Sequence, residues 1–168
     1  MRLEDPIEAL EAHIGDARRG LPEVVFLFAT RITPMVNVDL LVQDEWGRTL
    51  LTWREDGYYP PGWHVPGGII RYKETFAQRI QAVALGELGA EVEFEPSPLA
   101  LNEVIHPTWT NRAHFISLLY ACKLQSAPDP DRAHRGGSPQ PGEWAWHERC
   151  PSDFIPVHEM YRPFLGGQ

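Results

Sequence analysis

The sequence predicts an α+β fold, in which strands and helices are intermixed and neighbouring strands pair as hairpins. Three observations carry this expectation. The stretch 35–43 (MVNVDLLVQ) alternates as a strand does, and DEWG turns it into a partner, RTLLTW. Helical apolar spacing recurs at both ends of the chain and once in its middle. In that middle, an aromatic-apolar strand runs through a Gly-Gly turn into a helix, GGIIRYKETFAQRIQAVALGELG from Gly67 to Gly89.

Taken in order, residues 4–18 read as an amphipathic helix with Ile7, Leu10, Ile14 and Ala17 on one face. Gly20 is its stop. Pro22 and Glu23 look like a helix start, yet VVFLFA has strand propensity, and that segment stays open between the two. After the 35–43 and RTLLTW pair comes a loop, EDGYYPPG, then a short strand at Trp63–Val65, a tight loop, and a helix over 74–88. Further strands are expected near 91–95, 101–106, 113–123 and 143–147, and a last helix near 156–164. Pro, Gly and Asp dominate 126–142, which is expected to be a mobile loop.

With 168 residues, the chain is expected to form one domain, 1–33 being an N-terminal helical extension. Its 43% apolar and 23% charged residues are ordinary for a soluble globular protein. No apolar run approaches a membrane span, and the N-terminus lacks a signal-peptide pattern. Cys122 and Cys150 show neither metal spacing nor a disulfide framework, which fits a reducing cytoplasm. A net charge of −8 argues against non-specific nucleic-acid binding. A small anionic ligand stays compatible with it, because a local cation cluster or bound metal offsets the global charge.

On a wheel of about 100° per residue, Phe76, Ile80 and Val83 form a narrow stripe with Ala84 at its edge. Glu74, Gln78 and Gln81 lie opposite. Glu87 falls in the middle of the apolar stripe. A carboxylate there is costly unless it is paired or bound to metal. Two readings are open: the stripe frays and Glu87 reaches water, or Glu87 is a metal ligand. Carbonyls of the Gly-Gly loop would complete an oxygen-rich site of the kind Mg²⁺ prefers.

These residues resemble the Nudix hydrolase box, G-x5-E-x7-R-E-U-x-E-E-x-G-U, with U aliphatic. Gly68, Glu74, Glu87 and Gly89 match its fixed positions, while Ala82, Val83 and Gly86 replace an arginine and two glutamates. The reduced box is similar to that of the GDP-mannose mannosyl hydrolase branch. TPMVNVDLL, LLTWR, GWHVPGG, ETF, ELG, HFISLLY and QPGEWAW follow the order and spacing of that branch over roughly residues 33–165.

The resemblance implies a Nudix-type mixed β-sheet sandwiched between helices, with the loop-helix at 67–89. It implies one Mg²⁺ held by Gly67, Glu87 and Gln140, and a homodimer. It also implies that Arg54 contacts the diphosphate of a small-molecule nucleotide sugar and that Asp39 lies close to the sugar. For Arg54 the other reading is a surface arginine; for Asp39 it is a carboxylate on a solvated sheet face. Three branch side chains are replaced, by Ile69, Ala82 and Pro141, the last where the branch has a histidine base. Arg71 or Arg79 is a substitute cation and His134 a substitute base. Three functions follow: hydrolysis of a nucleotide sugar such as GDP-mannose, attack on phosphorus in another nucleoside diphosphate compound, or a silent nucleotide-binding module.

Overall fold

The computed structural model describes residues 4–166. Its core is a mixed sheet around β1 (Met35–Val42) and β7 (His114–Leu124), which run parallel in register from Met35↔Phe115 to Val42↔Cys122. The strand β4 (Gly67–Ile69) pairs antiparallel with β1 on its other edge. β5 (Val92–Phe94) and β6 (Ala100–Ile105) both pair antiparallel with β7. β1 is rich in Val and Leu because both its faces are covered, as an interior strand requires. A second, antiparallel sheet holds β2 (Thr49–Arg54) between β3 (Gly62–His64) and β8 (Trp144–His147).

The period of two along β1 and β7 sorts their side chains onto two faces. Val38, Leu40, Val42, Leu118 and Tyr120 pack under the helix α3 (Phe76–Val83) with Ile80, Val83 and Leu88. Leu41 and Leu119 face the other way, onto Leu51, Trp63, Phe154 and Tyr161. Phe154 and Tyr161 come from the C-terminal segment, where Pro156–Phe164 is a 3₁₀ helix with Pro163 inside it.

Several boundaries differ from those the sequence predicts. The first helix, α1 (Glu4–Ile14), ends at Gly15, whose φ of +63° breaks it; Asp16 then caps a separate 3₁₀ turn, Ala17–Arg19. The open segment forms a helix, α2 (Glu23–Ala29). The expected tight loop after Pro66 is β4 instead. The expected 74–88 helix starts two residues later, because Thr75 and Gln78 form a capping box. It then widens into a π turn, Ala84–Leu88, that Gly89 ends at φ +64°. Phe76, placed by the wheel on the buried stripe, is half-exposed at the first turn.

The stretch 126–142 contains a 3₁₀ turn, Pro130–Arg132, and a bridge from Ala133 to Trp144. It is tied to the end of the Nudix-like helix. Asp129 N–H donates to the Leu88 carbonyl at 2.8 Å, and an Arg132 guanidinium N–H to the Gly86 carbonyl at 2.6 Å. No described helix is long and apolar enough to cross a membrane.

Candidate active site

Glu87 stands where the two sheets meet. The Thr52 hydroxyl, from β2, donates to its Oε2 at 2.8 Å. The Gly67 N–H, from β4, donates to its Oε1 at 3.0 Å. The His64 Nε2, from β3, lies 3.4 Å from Oε2, while Nδ1 of the same ring donates to the Thr52 carbonyl at 2.8 Å. Thr52 and His64 converge because they are direct partners in the β2–β3 ladder. Burial works against ionisation of Glu87, but His64, Thr52 and the Gly67 amide together hold its carboxyl below the usual glutamate range. The reading in which Glu87 merely frays into water is thereby replaced: it is partly buried, accepts from Thr52 and Gly67, and lies beside His64.

Gly67 owes its position to strand alternation. Leu40 N–H donates to the Pro66 carbonyl and Ile70 N–H to the Val36 carbonyl, so residues 66, 68 and 70 bond to β1. Gly67 therefore turns its own N–H and carbonyl to the free edge of β4, toward Glu87. A side chain at position 67 would collide with Asp39 Oδ1.

Asp39 is buried, not on a solvated face. The sheet face opposite Val38 and Leu40 is covered by the C-terminal segment, and the Tyr161 hydroxyl donates to Asp39 Oδ2 at 2.6 Å. Burial pushes the Asp39 carboxyl up to about 6, against the opposing pull of Tyr161, Ser117 and His64. His158 is also buried. Its Nδ1 accepts the Val65 N–H at 3.2 Å, and burial keeps the ring neutral by drawing its pKa well down.

A cleft of about 720 Å³ opens beside these groups. Asp39, Gly67, Glu87 and His158 line it, with Arg54, Arg71, Arg79 and Arg112 converging on the same space. Arg54 Nε donates to Asp56 Oδ2 at 2.7 Å, and its guanidinium lies 5.5 Å from the Tyr59 ring. Arg79 is buried and forked onto Glu74 by two bonds of 2.8 Å. Glu74, a fixed residue of the box, is thus the clamp of Arg79.

A smaller cleft of about 400 Å³ adjoins the other side of Glu87 and His64. Glu143 lines it and accepts from His134 Nδ1 at 2.8 Å and from Gln140 N–H at 3.1 Å. The His134 bond, first, and then the Gln140 amide hold the Glu143 carboxyl below its ordinary range. Gln140 itself is exposed, with its amide turned back onto the Ser138 and Pro139 carbonyls. Of the three expected metal ligands, Gly67 and Glu87 are brought together and Gln140 is left apart.

Glu143, His64, Thr52, Tyr161 and Arg112 went unrecognised in the sequence. Thr52 and His64 had a signal, the shared hairpin register. Glu143 had none, since its position depends on how the 126–142 stretch folds back.

Mg²⁺ takes one or two carboxylates and keeps waters or substrate phosphates as its other ligands. Among the described residues no cluster of three or more His, Cys, Asp or Glu surrounds one point. One carboxylate, Glu87, beside a free carbonyl, Gly67, fits a single hydrated ion of that kind.

The NUDIX domain profile matches residues 33–164, and the chain belongs to the Nudix family. The low-salt glycan biosynthesis protein Agl8 of Haloferax volcanii is 40% identical over 62 residues, which are 37% of this chain and 39% of that protein. The chain therefore matches well under two thirds of that relative. Among solved structures, a MutT NUDIX hydrolase from Burkholderia pseudomallei superposes with a TM-score of 0.59 at 21% identity, covering 79% of this chain and 95% of that one. An ADP-ribose pyrophosphatase from Streptococcus suis gives 0.55 at 14% identity, covering 79% and 87%. These likenesses establish the fold.

Proposed function

We propose that this chain is a Mg²⁺-dependent Nudix hydrolase of nucleotide sugars, most similar to the GDP-mannose mannosyl hydrolases. The observation that carries the reading is the joint between the sheets, where Glu87 and the Gly67 edge meet a cleft lined by arginines and by buried Asp39. The name of the Haloferax volcanii relative, which refers to glycan biosynthesis, supports a sugar-linked substrate.

In this reading Glu87 and the Gly67 carbonyl would hold the ion, which would supply positive charge to a leaving diphosphate. Arg54 offers the guanidinium N–H groups that Asp56 leaves free to phosphate oxygens, and Arg79, held by Glu74, lines the same cleft. Asp39 accepts a hydrogen bond from a sugar hydroxyl, with Tyr161 fixing its orientation. Glu143, set by His134, accepts the proton of the attacking water, in place of the branch histidine that Pro141 replaces. Gln140 would have to release the Ser138 and Pro139 carbonyls before its amide oxygen could serve as a further ligand. A cytoplasmic homodimer completes the reading.

Glu143 also favours a second reading. A second carboxylate on the smaller cleft that Glu87 also lines is suited to directing water at phosphorus. Hydrolysis of GDP-mannose with Mg²⁺ in ¹⁸O-water separates the two. Label in mannose is the expected result; label in phosphate establishes attack at phosphorus. Absence of turnover across a panel of nucleotide sugars and other nucleoside diphosphate derivatives would sink both and leave a binding module.

A further inference from the structure

Residues 17–30 precede the stretch that matches the family, yet they wall the large cleft through Ala17, Gly20, Leu21 and Phe26. They also hold one of its arginines. The buried Thr30 accepts the Arg112 backbone N–H on its hydroxyl at 3.0 Å. The Phe26 ring lies 5.8 Å from the Arg112 guanidinium, and the Tyr58 ring lies 4.1 Å from it.

Arg112 sits between β6 and β7 with φ +51°, in the left-handed region that glycine enters without strain and arginine does not. The surrounding contacts keep it there. Among the described residues, its side-chain N–H groups meet no carboxylate or carbonyl at hydrogen-bond distance. The nearby Asp56, whose charge it shares, is engaged by Arg54. A guanidinium stacked against rings presents its fork edgewise, with its donors free to meet paired anionic oxygens.

We propose that Arg112 binds the diphosphate of the nucleotide substrate, and that residues 17–30 belong to this subsite because they fix Arg112. The inference rests on the nucleotide-hydrolase reading above. It adds a residue outside the box and a segment outside the family match.

Calorimetric titration of the full chain with GDP and with inorganic pyrophosphate, in Mg²⁺, tests it. Arg112→Gly relieves the backbone and removes the fork. Its melting temperature is expected to hold or rise while affinity for both probes falls by about tenfold or more. Thr30→Val is expected to weaken both probes less. Affinity within about twofold of the parent in Arg112→Gly overturns the proposal. If that variant melts below the parent, Arg112→Lys decides, because it keeps the charge and loses the fork; affinity within about twofold of the parent again overturns the proposal. A parent chain that binds none of GDP, UDP, ADP or pyrophosphate overturns the nucleotide reading itself, and this inference with it.

Discussion

Asp39 carries a cost that its neighbours only partly offset. Its carboxyl titrates near 6 in the folded protein against 3.8 in the open chain, mainly through burial. The folded state thus binds the proton more tightly. The favourable contribution is complete below about pH 3.8 and is lost as pH rises through about 6. Asp39→Asn lacks this titration. Relative to that variant, the metal-free parent is expected to lose about 3 kcal/mol of stability between pH ~3.5 and ~7.5. Urea denaturation at several pH values checks this, and parallel curves would refute it. The carboxylates show what a sequence discloses at this scale. Glu87 was legible because it interrupts an apolar stripe. Asp39 was legible as a polar residue on one face of a strand, but its burial was not, because the cover comes from Tyr161, far along the chain. Gln140 was legible only through the family resemblance, and its side-chain amide is turned back onto the Ser138 and Pro139 carbonyls.

The helix that bears Glu87 is an element whose ends are specified locally and whose middle is specified by packing. Thr75 and Gln78 satisfy each other's backbone N–H groups, with Gln78 N–H to Thr75 Oγ1 at 3.2 Å and Thr75 N–H to Gln78 Oε1 at 2.9 Å. Thr75→Ala is expected to cost about 1 kcal/mol of stability. An unchanged denaturation midpoint would show that the cap contributes nothing. The turn from Ala84 to Leu88 was not legible, because a wheel at constant pitch has no place for an i→i+5 turn. Its wider winding lets Leu88 enter the core while Glu87 still reaches Thr52 and Gly67. The strand β4 was missed for a related reason. Two glycines have weak strand propensity, and only tertiary pairing with β1 makes Gly67 and Gly68 extended. Gly68 must also stay small, since a Cβ there would stand 2.9 Å from Val83 Cγ2.

Across the whole molecule, the site has no single owner. Thr52 and His64 belong to the smaller sheet, Asp39 and Gly67 to the larger one, and Glu143 to the return of a long connection. The α+β class and the strand order along the chain were legible, since hydrophobic periodicity records them. The meeting of the two sheets was not, since no local pattern encodes a contact between residues so distant in sequence. A ligand that binds only the assembled protein stabilises it by mass action, about 2.7 kcal/mol at a hundredfold excess over Kd. Mg²⁺ is therefore expected to raise the melting temperature of the parent. Glu87→Gln is expected to remove that shift and to lower turnover by at least about 10–100-fold. An identical shift in the variant would place the ion elsewhere. Because Glu87 bonds to Thr52 on one sheet and Gly67 on the other, the carboxylate also ties the two sheets together. A substitution deep in the Trp63–Phe154 packing, touching no substrate, will alter the splay of the two sheets and so detune the ligand geometry. If the proposed site is right, distant core variants of this protein should then change its response to metal before they change its fold.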